Sequence, residues 1–411
     1  MFRKRSLRLL VASFAVLSLA AACSSDDDSS SGGDDDEQEE AAAPQPDCVA
    51  EPTGEPILIG TISNIEGPGQ SEGVVEGSEA AAESINCEGG VQGRPVEILP
   101  CNGNTALDPN NPTTCARDAV EAGVIASAGN FVSDAAATTI FEDAGLPVLG
   151  FPLSAADITS PVSFPLTAGA PGTLAGNAAQ LYDAGFEDIG LVILDVPGAD
   201  LAASFADNAL AERGTELSTT VKVPVDPSAD VAPLVAQATG DSDALIIALT
   251  GDSAAQFILG ARQSGFTGGI GMTAITMNED LQEQLGDEIA SGIDYLGTTF
   301  PASADAEGID AFNADMAAYQ PDSPRNEFAI NSWQAVRVIA DVLEQAETVD
   351  AAALLAGLEG YTVELGVAPP LTFEDGGAFG LPRLFTENVL AQAFEDGELV
   401  QVGEFFNPLE P

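Results

Sequence analysis

The chain has 411 residues, with 65 acidic and 12 basic side chains, no histidine, and a formal net charge of −53. Such a charge repels phosphate backbones and excludes nucleic acid as a partner. The length suffices for about two ordinary domains with sizeable cores.

Arg3, Lys4, Arg5 and Arg8 precede an apolar run from Leu9 to Ala22, and Cys23 follows. A basic start, an apolar middle and small residues before a cysteine describe a secretory signal over 1–22. Ala20-Ala21-Ala22-Cys23 resembles a bacterial lipoprotein box, with the usual leucine one place early at Leu19. The expectation is cleavage before Cys23 and lipid attachment to it, with an ordinary cleaved signal as the alternative. The run is too short to span a bilayer, and no later segment is long enough. Without the signal, 65 acids face 8 bases, a difference of −57. Residues 23–50 are rich in Ser, Asp, Glu, Gly, Ala and Pro. They cannot bury enough apolar surface to fold, and read as a disordered acidic tether.

Ile57–Ile62 is a short apolar run of the kind buried on both faces of a parallel sheet. Gly67, Pro68, Gly69 and Gly73 break it, and a helix from Gln70 to about Asn86 puts Val74, Ala81 and Ile85 on one face. Gly89, Gly90 and Gly93 stop that helix, and Arg94–Leu99 returns as a strand, completing a βαβ unit. Strands are then expected at 124–128, 147–151, 164–167, 189–194, 219–223, 244–249, 271–273 and 295–300. Helices are expected at 116–122, 133–144, 173–184, 201–213, 231–238, 254–264, 281–285, 309–318, 328–346 and 351–358. Beyond Gly360 the chain changes to Gly/Pro turns with short strands at 371–373 and 400–405. Repeated βα units mean parallel sheets sandwiched by helices, and so many strands mean two lobes. Ligands in such folds lie in the crevice at the carboxyl ends of the strands, so if the protein binds a small molecule, the Ser63–Gly73 loop is one wall of the site.

Four cysteines remain after Cys23: Cys48, Cys87, Cys101 and Cys115. An even count outside the cytoplasm suggests disulfides. Cys87 ends a helix that runs back to the sheet edge where the Ile57 strand begins, just after Cys48. Cys101 ends the second strand and Cys115 opens the next helix at the same edge. The topology thus favours Cys48–Cys87 and Cys101–Cys115. No CxxC pair or Cys/His cluster exists, and no metal or cofactor is expected.

Gly69-Gln70-Ser71-Glu72-Gly73 fits the G-x-S-x-G of a nucleophile elbow. The base of a Ser-His-Asp triad is missing, and a Ser-Lys pair would need Lys222, the one lysine after the signal. Gly67-x-Gly69-x-x-x-Gly73 departs from a dinucleotide fingerprint by one residue, and Glu66 and Glu72 flank the place of a pyrophosphate; no Walker A motif exists. Asn102-Gly103-Asn104 with Asp108 lacks the bidentate glutamate of a calcium loop and reads as a turn.

IGTISNIEGPGQ, GSEAAAESIN and GGVQGRPVEI are similar to the opening of the Leu/Ile/Val-binding type of ABC-transporter solute-binding proteins. FEDAGLPVLGFPLSAADIT, NSWQAVRVIADVLEQA and PPLTFEDGG also match, in order, across about Ile57 to Gly377. The resemblance implies the α/β, two-lobed type I periplasmic-binding-protein fold, each lobe a parallel sheet flanked by helices. Three crossings would lie near Phe164–Ala168, Thr299–Ala302 and Gly360–Pro370. Lobe 1 is then expected over 51–166 with 301–362, and lobe 2 over 167–300 with 363–411.

The same resemblance carries ligand contacts onto the strand-end loops. From lobe 1 these are Ser71, Glu72, Phe131, Ser133, Phe151, Leu153 and Ser154. From lobe 2 they are Asp195, Thr250, Asp252 and Thr273. The tyrosine expected in the Asp195 loop is replaced by Val196-Pro197-Gly198-Ala199. Thr273 stands near the family's acid for a ligand ammonium, with Asp252 a substitute. Trp333, Phe328 and Tyr319 are expected to pack helices. The function implied is a monomeric, non-enzymatic, extracytoplasmic binding protein, held to the cell membrane by a lipid on Cys23. It would deliver a small polar ligand, an amino acid or related amide or carboxylate, to an ABC permease. A ligand-sensing receptor ectodomain of the same fold is the alternative, and a secreted hydrolase a third.

Overall fold

The computed structural model describes residues 48–411, apart from 68, 197, 226–228 and 375. The signal, Cys23 and the tether up to residue 47 lie outside the described residues.

The chain runs through β1 (Ile57–Ser63), α1 (Val74–Cys87), β2 (Val96–Asn102), α2 (Asn111–Ala122), β3 (Ala126–Ala128), α3 (Ala136–Ala144), β4 (Val148–Gly150) and β5 (Ser163–Pro165). Next come α4 (Gly169–Asp183), β6 (Ile189–Leu194), α5 (Ala199–Glu212), β7 (Thr219–Val223), α6 (Ala232–Gly240), β8 (Ala244–Ala248), α7 (Gly251–Gln263), β9 (Gly269–Thr273), α8 (Glu279–Leu285), α9 (Asp287–Ala290) and β10 (Asp294–Gly297). The last stretch holds α10 (Glu307–Tyr319), α11 (Glu327–Glu344), α12 (Ala351–Leu358), β11 (Thr362–Val363), β12 (Leu371–Thr372), β13 (Leu390–Glu395) and β14 (Glu398–Gln401).

Two large sheets result, one per lobe, and β11 and β12 pair antiparallel in a separate two-stranded sheet. The first has the order β2-β1-β3-β4-β5 and is parallel throughout, with Ile59 of β1 between Ile98 and Ala126. The second has the order β14-β13-β10-β9-β8-β6-β7. Its β10-β9-β8-β6-β7 part is parallel, and β13 and β14 add an antiparallel edge. The apolar strands are buried on both faces because helices cover both. Ile57, Ile59 and Phe164 pack beneath α10, α11 and α12, while Ile62 packs with Phe141 of α3 and with Cys115 and Ala116 of α2. In the second lobe Val192, Ile247 and Phe257 pack on one face, and Leu191, Ile246 and Phe205 on the other.

Three crossings join the lobes. The first follows β5, and α4 beyond it packs on β9 and β10. The second follows β10, where the expected strand over 295–300 ends early: Thr298 N and Phe300 N donate to Glu327 and Val367 O rather than to a neighbouring strand. Val363, Val367, Leu371 and Phe373 pack with the first lobe's core, so the third crossing runs between Phe373 and Val389, beyond Gly360–Pro370. That return segment touches both lobes. Phe379 meets Phe205 of α5 at 6.1 Å between ring centroids, and the Arg383 guanidinium lies 4.5 Å from the Phe164 ring centroid.

Disulfides join Cys48 to Cys87 and Cys101 to Cys115, as the topology of the sequence favoured. Asn102-Gly103-Asn104 is a hydrogen-bonded turn: Asn102 Oδ1 accepts from Ile65 N, and Asn104 Nδ2 donates to Glu66 O at 2.8 Å. Among the described residues no helix is long and apolar enough to cross a membrane.

Candidate functional site

The first turn of α11 stands where the carboxyl edges of the two sheets meet, and small residues on its neighbours let it come that close. Asn326 caps the helix, its Oδ1 accepting from Ala329 N and its Nδ2 donating to Glu72 O, both at 3.0 Å. On the facing side of α1, a Cβ at Gly77 would lie 2.3 Å from Ala329 O and 2.6 Å from Ser332 Oγ. Beyond β3, Gly129 has φ +64°, and a Cβ there would sit 2.6 Å from Ser332 Cβ. Both positions need glycine because α11 lies against them.

This packing leaves a small hollow, about 10 Å³ in cavity volume, at the strand ends. Phe131 after β3, Phe151 after β4 and Phe328 of α11 give it an aromatic wall. The Phe131 ring stands edge-on to Phe328 at 4.6 Å and tilted to Phe151 at 5.5 Å. Ile275, just past β9, lines it from the other lobe. Such a place, at the carboxyl ends of parallel strands and between lobes, is where α/β folds hold small molecules. No ionisable side chain is among the described residues that line it.

Asn130 lies at the base of this hollow and is 9% exposed. Its Oδ1 accepts from Ile62 N at 3.1 Å and from Ser127 Oγ at 2.7 Å, and its Nδ2 has no hydrogen-bond partner. Because Ile62 N–H can only donate, the amide is held with its NH2 pointing away from that bond.

Asp157 organises the Phe151–Ser154 loop. Its carboxylate accepts from Ser154 N at 2.7 Å, Leu153 N at 3.1 Å and Thr138 Oγ1 at 2.7 Å. Burial pushes its pKa up while those bonds pull it down, and burial is the larger effect. Ser154 is buried, with its N–H committed to Asp157 and its Oγ accepting from Asp157 N. Ser71 is buried, and its Oγ has no hydrogen-bond partner among the described residues. Lys222, which a Ser-Lys pair would require, is ion-paired at 2.7 Å with Asp200 in the second lobe.

Of the positions singled out in the sequence, Phe131 and Phe151 line the hollow together. Leu153 is half-buried beside them, while Glu72 and Ser133 are exposed on the first lobe. Asp195, Thr250 and Asp252 are exposed at strand ends of the second lobe, and Asp252 Oδ1 accepts from Gln284 Nε2 at 3.0 Å. Thr273 is half-buried two residues before Ile275, its Oγ1 reaching Leu296 O at 3.5 Å. Phe328, read in the sequence as a helix-packing residue, instead lines the hollow. Trp333 does pack helices, edge-on to Phe312 with Nε1 donating to Asp315, and Tyr319 lies against the first core. Asn130, Ile275, Asn331 and Ser332 line the hollow without having been singled out. The readable signal was the polar pair Asn331 and Ser332 set between apolar Ile330 and Trp333.

Beneath the hollow, Glu327 opens α11 and is 8% exposed. Its Oε1 accepts from Thr298 N at 2.7 Å and from Thr298 Oγ1, while Oε2 has no partner among the described residues. Burial pushes this carboxyl up to about 7, against the pull of those bonds. One lobe's helix thus grips the second crossing through a buried acid.

The profile of the family described as periplasmic binding protein matches residues 56–383. No curated protein sequence matches the chain. Among solved structures, a possible leucine/isoleucine/valine-binding protein from Rhodopirellula baltica is similar, with a TM-score of 0.74 at 17% identity, covering 86% of this chain and 98% of its own. A fatty acid ABC transporter substrate-binding protein from Thermomonospora curvata gives 0.74 at 18% identity, covering 88% and 95%. An ABC transporter solute-binding protein from R. palustris, in complex with 4-hydroxybenzoate, gives 0.72 at 19% identity, covering 86% and 97%. With two sheets, three crossings and a hollow between their carboxyl edges, and with its profile matched across both lobes, the chain belongs to the periplasmic binding protein family, in its type I fold.

Proposed function

We propose that this chain is an extracytoplasmic, lipid-anchored solute-binding protein. It captures a small organic ligand between its lobes as a monomer and presents it to an ABC permease. The observation that carries the reading is the hollow itself, walled by Phe131, Phe151 and Phe328 from one lobe and by Ile275 from the other. The lobes would comprise 51–166 with 301–373 and 167–300 with 374–411, taking 363–373 into lobe 1 because its side chains pack in that core. Similar structures carry names that point to carboxylate-bearing solutes, which supports a small organic ligand.

In this reading the ligand settles first on the aromatic wall and the Ser71 and Ser154 loops. Rotation about the crossings then brings the Asp195 and Thr250–Asp252 loops over it and excludes water. The ligand shifts the open–closed equilibrium only by its preference for the closed form, and the permease reads that form. No covalent step is proposed: Ser71 Oγ has no base beside it, and Lys222 is held by Asp200. Thermal denaturation of the full chain against a small-metabolite library tests the reading. A ligand at a hundred times its Kd stabilises by about 2.7 kcal/mol, and a library in which no compound raises the Tm would overturn the proposal.

A further inference from the structure

We infer that Glu327 is a proton-operated latch on the second crossing: neutral, it holds the two lobes together, and ionised, it lets them part. The inference rests on the lobe movement in the solute-binding reading above and adds what regulates it.

The residues of this crossing are gripped alternately by the two lobes. Gly297 ends β10, and a Cβ there would lie 2.1 Å from Gln392 Nε2 of β13 in the second lobe. Thr298 donates through its N–H and its hydroxyl to Glu327 of the first lobe. Thr299 O accepts from Gln392 Nε2 at 3.1 Å, and Phe300 N donates at 2.8 Å to Val367 O, whose side chain packs in the first-lobe core. The change of partner from one lobe to the other thus falls on Thr298–Thr299, so a rotation between the lobes turns on these two residues. Glu327 and Gln392, which grip them, are 8% and 3% exposed. Ile275 of the second lobe lines the same hollow as Phe328, so the lobes stand together while the acid is buried.

A buried carboxylate is costly unless a positive charge pairs with it, and none does so here. Residues 297–300, 274–276, β3 and β4 carry no charged side chain. Arg325 before α11, Glu72 before α1 and Glu395 at the end of β13 are exposed. On α1, Glu76 accepts from Gly73 N and Glu79 from Gln320 Nε2, both at 3.0 Å, and Arg337 of α11 is paired with Asp315 at 2.6 Å. Burial therefore raises the Glu327 pKa to about 7, against the pull of the bonds from the crossing. Parting α11 from Thr298 lets water reach the carboxyl and returns its ordinary value of 4.5. The parted form then gains on the closed form as the pH rises from 4.5 to about 7, and the gain levels off above that. Closing takes up a proton.

Leu107 and Val225 can report the gap between the lobes. They are 55% and 57% exposed and follow β2 and β7, the edge strands farthest from β5 and β10, which lead into the crossings. Spin labels on Leu107→Cys and Val225→Cys in the full chain, with no ligand added, give the ratio of long to short distances at pH 5 and pH 8. Full hydration of Glu327 in the parted form would raise that ratio by about 70-fold between the two. Glu327→Gln keeps an acceptor for Thr298 and cannot ionise, while the remaining acids titrate in both chains. The rise should therefore be at least about tenfold larger in the unmodified chain than in Glu327→Gln. Equal rises in the two chains, or no rise in the unmodified chain, overturn the inference. Should Glu327→Gln not fold, Thr298→Val decides. It removes a hydroxyl that pulls the pKa down, so the rise should continue beyond the pH at which the unmodified chain levels off. An unmoved plateau overturns the inference. Because the measurement uses no ligand, its failure leaves the solute-binding reading to the thermal screen.

Discussion

Glu327 on α11 accepts hydrogen bonds from both the backbone N–H and the hydroxyl of Thr298, tying a first-lobe helix to a segment that passes between lobes. The bond joins the wall that would receive the ligand to the crossing that would move when the lobes close. Phe328, the next residue, stands in the hollow, so displacement of Thr298 would be felt at the ring through the adjoining backbone of α11.

Because burial raises the Glu327 carboxyl from an ordinary 4.5 to about 7, the folded chain holds that proton more tightly than the unfolded chain. Its contribution to stability is complete below pH 4.5, shrinks as the pH rises and is lost above about 7. Glu327→Gln retains an acceptor for Thr298 and cannot ionise. The stability of this variant relative to the unmodified chain should rise by about 2–3 kcal/mol between pH 5 and pH 8. Chemical denaturation at the two pH values measures it. An equal difference at both would remove Glu327 as the titrating group.

Gly77→Ala places a Cβ where Ala329 O stands 2.3 Å away, against backbone that cannot rotate aside. The expected loss is about 2–3 kcal/mol of stability. Since α11 must shift outward, Phe328 should also move and ligand affinity should fall. Stability unchanged within about 0.5 kcal/mol would mean that α1 and α11 are not in this contact in solution.

The two disulfides close loops of 39 and 14 residues in sequence separation. In the chain-entropy model they are worth about 4 and 3 kcal/mol. Replacing Cys48 and Cys87 with serine should therefore lower stability somewhat more than replacing Cys101 and Cys115. Denaturant titrations of the two double variants compare them directly.

The sequence places the proposed anchor at Cys23. Cys23→Ser should abolish incorporation of labelled fatty acid and move the protein from the membrane fraction to the medium or periplasm. Membrane retention and labelling that survive the substitution would remove the anchor from the account.

The βαβ unit at Ile57–Asn102 was legible because uninterrupted apolar strands and glycine stops leave few alternatives, and its topology also favoured the cysteine pairs. The return between lobes was not. Between Phe373 and Val389 periodicity gives way to Gly, Pro and charged residues. Strand β13 that follows alternates in burial and pairs antiparallel on both sides, unlike the apolar parallel strands before it. Within the site, Phe131 and Phe151 follow strand ends and could be placed by that position alone. Phe328 looked like core because a phenylalanine in the first turn of an amphipathic helix usually is. Its exposure to the hollow depends on Gly77 and Gly129, residues far from it in sequence. Asn130 needed the Ile62 bond to fix its amide, and no sequence pattern carries that.

The central claim is that a ligand is held between two lobes, so the most direct measurement perturbs each lobe separately. The tightest ligand from the metabolite screen is titrated against the unmodified chain, Phe328→Ala and Ile275→Ala. Both variants should bind it about tenfold or more weakly, because each removes apolar contact from one side of the same ligand. Unchanged affinity in Ile275→Ala would contradict a site shared by the lobes, and unchanged affinity in both would place the ligand outside the hollow.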